Sequence, residues 1–318
     1  MKAVVYRKYG GPEVLEFTEL PKPQPKENEI LVKIIATTVT TADLRMRKAD
    51  PFMVKFLMGF PNPKKQVLGT EFSGIVEAVG SGVTRFKVND RVYGPVGFKP
   101  GTYLEYRCFS QDSPLSLIPE NVSFEEAAAI PFGGMSSLYF LKKGNVGKGT
   151  RLLIYGASGC LGTAAIQLAV NMGADVTAVC SGKNEELVKS LGAKAVIDYT
   201  KDSLKFYPGV FDVVYDTIGK SPFDESIKAL KKGGIYLRAV HMSPGVIFRG
   251  IRAGLTSGRK VIGGTASELP EYIDHLSELA AGGKYKAVID KIYPLSEIRE
   301  AHKYVDSGHK RGNVVIKI

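Results

Sequence analysis

Tryptophan is absent from the 318 residues, cysteine occurs three times and histidine four. Cys108, Cys160 and Cys180 are too few and too scattered for a disulfide framework, and no Cys-x-x-Cys pair exists to hold a structural zinc. His241, His275, His302 and His309 all fall late in the chain and form no ligand-like cluster. A hydrolytic or alcohol-polarising zinc therefore has no evident ligands. No apolar run approaches the ~20 residues of a membrane span. The chain opens on the strand pattern Lys2-Ala3-Val4-Val5-Tyr6, where a targeting peptide would carry a basic and then an apolar stretch. These absences set the expectation of a cytoplasmic protein. No interleaving of aromatic and basic residues of the RNA-reading kind occurs, so nucleic acid is not an expected small-site partner.

What is present suits a folded chain of two ordinary domains: 44% hydrophobic and 24% charged residues. The formal net charge is +11, with denser basic stretches at Lys64-Lys65, Lys142-Lys143, Lys231-Lys232 and 249–260. A solvated basic surface explains this, and so would an anionic partner such as a phosphorylated cofactor or an acidic membrane.

Over 1–119 the pattern is one of short alternating or β-branched runs broken by Gly and Pro, at 3–6, 30–39, 72–79, 91–93, 102–108 and 115–118. That spacing predicts a compact β-rich unit. From about Glu120 the character changes: one helix is expected over 124–141, then strands at 151–155, 175–180, 195–198, 211–216, 234–240 and 259–264. Helical patterns at 162–172, 185–191 and 224–230 alternate with them, which predicts a parallel sheet covered by helices. Helix 268–281, strand 287–293, helix 295–306 and strand 313–318 close the chain. These closing elements are expected to rejoin the first unit, so that 1–120 and 285–318 form one domain and 121–284 the other. Two segments read as loops, the proline-bracketed apolar 51–63 and 243–259, which mixes Val246, Ile247, Phe248 and Ile251 with Arg249 and Arg252. Covering a hydrophobic substrate, touching a membrane face and packing between domains all remain open for them.

The sharpest local signal is Ala157-Ser158-Gly159-Cys160-Leu161-Gly162. It follows the apolar run Leu152-Leu153-Ile154-Tyr155, opens a helix and heads a βαβ unit of ~30 residues, the context that distinguishes a dinucleotide turn from a chance glycine pair. Small residues let backbone N–H groups approach a pyrophosphate at the positive end of the helix, and Gly162 lets helix and strand close up. The next strand ends Val179-Cys180-Ser181-Gly182-Lys183. An acid there would bond the ribose and repel a 2′-phosphate; Ser181 and Lys183 instead offer a hydroxyl and a cation, so NADPH is the expected cofactor.

With these residues the chain resembles the medium-chain dehydrogenase/reductase superfamily, and within it the zinc-independent quinone oxidoreductases and alkenal or enone reductases. The resemblance spans nearly the whole chain, through Met1-Lys2-Ala3-Val4-Val5, Leu68-Gly69-Thr70-Glu71, Val88-Asn89-Asp90-Arg91-Val92, Ala128-Ala129-Ile130-Pro131, Leu191-Gly192-Ala193, Ile197-Asp198-Tyr199 and Gly312-Asn313-Val314-Val315. It implies an α/β fold in which a doubly wound Rossmann sheet is inserted into a GroES-like β-rich catalytic domain, with the active site in the cleft and a homodimer formed through the Rossmann sheet edge. It further implies that Tyr199 helps Lys183 and Ser181 hold the adenosine phosphate, that Ser136 contacts the nicotinamide ribose, and that Val240 and Asn313 flank the cofactor. Zinc-dependent relatives carry a cysteine near 40 and a His-Glu pair near 70; this chain has Thr40 and Thr70-Glu71.

Without a Lewis acid, an already electrophilic acceptor is expected: a quinone or an α,β-unsaturated carbonyl. Thr40 and Ser136 are the candidate donors to the developing oxygen anion, and Asp43 is read as structural. A 2-enoyl thioester reductase is the competing enzyme. The competing reading from another class is a NADPH-binding protein that associates with RNA or an anionic membrane and catalyses little.

Overall fold

The computed structural model describes residues 1–64, 66–97, 99–239 and 244–318, and all their side chains except those of Pro244, Val246 and Ile247. The chain forms two compact units, 1–132 with 268–318, and 133–267. The first begins with β1 (Lys2–Tyr6) and β2 (Leu15–Glu19), an antiparallel pair. The long β3 (Glu29–Thr38) leads into helices α1 (Thr41–Lys48) and α2 (Val54–Met58). Strands β4 (Glu71–Val79), β5 (Arg91–Pro95), β6 (Tyr106–Ser110) and β7 (Ser116–Leu117) and helix α3 (Phe124–Ala128) follow.

After α4 (Pro131–Lys143) the second unit alternates β8 (Arg151–Tyr155), α5 (Cys160–Asn171), β9 (Asp175–Cys180), α6 (Glu185–Ser190), β10 (Ala195–Asp198), β11 (Phe211–Asp216), α7 (Phe223–Ala229), β12 (Leu230–Arg238), α8 (Pro244–Ser257) and β13 (Lys260–Gly263). All six strands are parallel, in the order β10-β9-β8-β11-β12-β13. Central strands covered on both faces must be apolar throughout: Leu152, Leu153 and Ile154 of β8 and Val213, Val214 and Tyr215 of β11 are all buried.

The chain then returns to the first unit through α9 (Pro270–Ala281), β14 (Ile289–Pro294), α10 (Ile298–Asp306) and β15 (Asn313–Lys317). β15 pairs antiparallel with β3, Val315 opposite Thr38, so both ends of the chain share one sheet of order β14-β15-β3-β4-β5-β7 with β6 also on β3. Helix α10 buries Ile298, Ala301, His302 and Val305, the i, i+3, i+4, i+7 stripe of an amphipathic helix, and its three apolar members join one cluster with Leu44, Leu68 and Tyr103.

The helix expected over 124–141 is two helices, because Ala129 caps α3 and Pro131 starts a new one. Strand β6 starts at Tyr106 rather than 102, since Thr102 and Tyr103 give their N–H groups to Leu68 O. The supposed loops contain α2 and α8. The units also divide elsewhere than at 120 and 284. Asn121 Nδ2 donates to Ala280 O (3.2 Å) and Tyr93 Oη lies 2.9 Å from Ser277 Oγ, which ties α9 to the first unit.

Candidate nucleotide site and buried polar pocket

The sheet order reverses between β8 and β11, where doubly wound sheets bind ligands beyond the strand carboxyl ends. The Ala157–Gly162 turn lies there. Gly156 starts it at φ +79°, and the N–H groups of Gly156 and Ala157 both donate to Val179 O at 3.1 Å. A Cβ on Gly162 would come within 2.3 Å of Gly156 O and 2.6 Å of Ala157, so only glycine lets α5 start this close to β8. Gly159 is the N-cap and contributes no side-chain bond, which leaves the first-turn N–H groups of Leu161 and Gly162 without a capping side chain. Thr217 Oγ1 donates to Tyr155 O (2.8 Å), and Asp216 accepts from Gly219 N (2.7 Å), Ser221 Oγ (2.9 Å) and Tyr236 Oη (2.9 Å), which fixes the loop after β11 against the turn.

At the end of β9, Ser181, Lys183 and Tyr199 come together around one strand end. Tyr199 N–H donates to Cys180 O (3.2 Å), its ring is half-exposed 6.5 Å from that of Tyr155, and Lys183 is exposed. Two neighbours escaped the sequence reading. Asn184 is buried, and its Nδ2 donates to Ser158 Oγ (3.0 Å) and Ser181 Oγ (3.2 Å), bridging the phosphate turn to the position expected to meet a 2′-phosphate. Its Oδ1 is buried without a partner. Asp198 stands beside Gly182, whose added Cβ would lie 2.6 Å from Asp198 Oδ2. Hydrogen bonds from Thr200 hold the Asp198 carboxyl below the usual range. Val240 lies outside the described residues. A hollow of about 220 Å³ lined by Arg151, Asp175 and Lys194 opens at the amino ends of β8 and β9, the wrong end of the sheet for a dinucleotide.

Ser136 is half-buried on α4, and no hydrogen bond of its hydroxyl occurs among the described residues. Ser137 next to it donates to Leu161 O (2.9 Å), and a Cβ on Gly133 would stand 2.9 Å from Cys160 O. Helix α4 is thereby pressed onto the start of α5.

The first unit holds a second polar centre, walled by β3, α1 and the 68–71 segment. Thr40 caps α1 with a reciprocal box: its N–H and Oγ1 donate to Asp43 Oδ2 (2.8 and 2.6 Å), and it accepts from Asp43 N. Thr70 Oγ1 is 3.1 Å from Thr40 Oγ1, and Gly69, at φ +100°, donates its N–H to Asp43 Oδ1 (2.9 Å). Glu71 is fully buried, accepting from Thr38 Oγ1 and from Phe132 N (2.6 Å). Burial pushes Glu71 up to about 8 and Asp43 up to about 6, so Glu71 is mostly a neutral acid at pH 7. Tyr103 Oη donates to Thr38 O (3.2 Å) and lies 3.2 Å from His302 Nε2, and burial drives His302 down to about 3. Asn313 opens β15, its Nδ2 donating to Val288 O (3.0 Å). Thr40, a candidate donor to substrate from the sequence, has its hydroxyl 2.6 Å from Asp43 Oδ2. Glu71 was legible only as part of a motif, and the signal for Asp43 was the Thr-x-x-Asp capping spacing.

A family model described as alcohol dehydrogenase GroES-like domain matches residues 26–145, and one described as zinc-binding dehydrogenase matches 191–316. A chloroplastic NADPH-dependent alkenal/one oxidoreductase of Arabidopsis thaliana is 32% identical over 99% of this chain and 79% of its own length. A 2-methylene-furan-3-one reductase of Solanum lycopersicum is 33% identical over the same shares. The chain belongs to the medium-chain dehydrogenase/reductase superfamily. Among solved superfamily structures, the quinone oxidoreductase from Coxiella burnetii superposes with a TM-score of 0.91 at 31% identity, covering 100% of this chain and 99% of that one. The superfamily's two-part design accounts for the sheet shared by both chain ends and for the Rossmann strand order between them.

Proposed function

We propose that this superfamily member is an NADPH-dependent reductase that transfers hydride to quinones or α,β-unsaturated carbonyls, without zinc. The observation that carries the reading is the Asn184 bridge, which joins the glycine-built phosphate turn at Ser158 to Ser181, two residues before Lys183. The residues fit the cofactor: Gly162 lets the start of α5 lie against the turn, and the orphaned Asn184 Oδ1 is left for a donor. Ala157, Ser158, Gly159, Cys160, Leu161 and Gly162 would receive the pyrophosphate, while Ser181, Lys183 and Tyr199 would receive the adenosine phosphate. Bound NADPH supplies hydride from its nicotinamide C4.

The donor set does not fit zinc. The positions of the zinc ligands in metal-dependent relatives carry two threonine hydroxyls bonded to each other, and Asp43 and Glu71 beside them already accept two or more hydrogen bonds each. What this chain supplies instead is the buried Glu71 carboxyl, which burial keeps mostly protonated while it accepts from Thr38 Oγ1 and Phe132 N, and the Ser136 hydroxyl. Of the two candidate oxygen donors, Ser136 is therefore the stronger and Thr40 the weaker. A conjugated acceptor needs little polarisation to take hydride at carbon.

Initial rates of NADPH oxidation across quinones, alkenals, cyclic enones and enoyl thioesters test the reading. Turnover of the first three classes is expected. A preference for enoyl-CoA would favour the thioester reductase, and no turnover at all would overturn the enzyme. A homodimer belongs to the same proposal: β13 ends its sheet, and α8 packed on it exposes Phe248, Ile251 and Leu255. The solution mass checks it. A cytoplasmic location is supported by three cysteines with no disulfide among them.

A further inference from the structure

The surface around α2 carries what solvated surfaces of this kind avoid. Phe52, Met53, Phe56, Leu57 and Phe60 are each between 57% and 67% exposed, five large apolar side chains within nine residues. Isolated exposed apolar residues need no account, but a contiguous group does. The group is contiguous: the Phe52 ring meets Phe56 edge-on at 6.0 Å and Phe60 at 6.5 Å. It is also held out on a firm base. Met58 is buried in the core with Leu44 and Leu68, Tyr9 Oη donates to Gly59 O (2.6 Å), and Lys64 N donates to Met58 O (2.8 Å). These apolar tips are thus presented to the outside while their helix is anchored from below.

The charge around them is mainly basic. Along the described part of this stretch Arg45, Lys55 and Lys64 stand against the acid Asp50, while Lys48 and the buried Arg47 are both paired with Asp306. Lys55 Nζ sits amid the rings, 5.2 Å from the centre of Phe52, 5.3 Å from Tyr9 and 6.0 Å from Phe60. Two copies of so basic a patch would repel across a twofold contact, whereas an anionic surface complements it. Aromatic rings with lysines at their edge are the side chains that settle at the boundary between lipid headgroups and acyl chains.

We propose that this patch docks the protein reversibly on an anionic lipid membrane, Phe52, Phe56 and Leu57 entering the headgroup boundary while Lys55 and Lys64 meet the anionic headgroups. No helix among the described residues is long and apolar enough to cross a membrane, so the contact is peripheral. The proposal stands apart from the reductase reading and is measured without cofactor or substrate.

The test is flotation of the full chain with vesicles of phosphatidylcholine alone and of phosphatidylcholine mixed with phosphatidylglycerol. Binding to the mixed vesicles, weakened by raised salt, and about tenfold less binding to the neutral ones is expected. Phe56→Ser with Leu57→Ser should lower binding about tenfold with an unchanged melting temperature, because both side chains are exposed. Lys55→Glu with Lys64→Glu should lower it on mixed vesicles and leave the neutral ones unaffected. Equal binding by wild type and the serine variant, or no binding to mixed vesicles at low salt, would overturn the proposal. So would a serine variant that changes the oligomeric mass and leaves vesicle binding intact, which would make the patch a contact between copies.

Discussion

The turn after β8 and the pocket after β3 both sit at strand ends, yet they are built from different material. The turn is backbone: Gly156, Gly159 and Gly162 clear space, and its donors are N–H groups at a helix start. The pocket is side chain: Thr38, Thr40, Thr70, Asp43 and Glu71 satisfy one another in a site closed to water. A backbone cradle suits an anion that arrives with its own charge, because fixed N–H dipoles need no counterion. Buried carboxyls suit proton storage, because low dielectric favours their neutral form.

The largest expected effect comes from spoiling the cradle. Gly162→Val places side-chain atoms where Gly156 O and Ala157 already stand. NADPH affinity, read by nucleotide fluorescence, should fall about a hundredfold or more. A variant that still binds tightly would show that the turn does not hold the pyrophosphate.

Glu71→Gln probes the pocket through pH. Native Glu71 keeps its proton up to about 8, while an unfolded glutamate loses it near 4.5, so this residue lowers stability as pH rises through that window. The glutamine variant should therefore melt higher than wild type at pH 9, by roughly 2–4 °C per kcal/mol relieved, and nearly level with it at pH 4. A variant less stable at every pH would mean that Glu71 is held ionised.

Asn184→Ala leaves Ser158 and Ser181 unbridged. The KM for NADPH should rise about fivefold to tenfold, with kcat little changed. Smallest of all is the contrast between Thr40→Val, which removes a helix cap and should cost about 1 kcal/mol of stability, and Ser136→Ala, which should leave melting unchanged and lower turnover. Equal effects on turnover would return Thr40 to the role of substrate donor.

Legibility followed the range of the interactions. The alternation 151–216 and the phosphate turn could be read because glycines, apolar runs and turn spacing are local. Helix α8 was hidden by its glycines, and α2 by the prolines on both sides and by apolar residues that face outward. Glu71 becomes a neutral acid through burial among residues far apart in the chain, its N–H donor Phe132 being 61 residues away, and Asn184 acquires its role from Ser158, 26 residues back. No window of sequence contains either partner. The capping box of Thr40 and Asp43 was in plain view at three-residue spacing, and its consequence for Thr40 needed the geometry.

The central claim, a site shaped for NADPH, is tested most directly by the ratio of kcat/KM for NADPH to that for NADH, in wild type and in Lys183→Ala. The ratio should favour NADPH in wild type and fall about tenfold in the variant, through KM. Asp198→Asn, which removes the acid beside Gly182, should move it the other way. A ratio unmoved by Lys183→Ala would contradict the account.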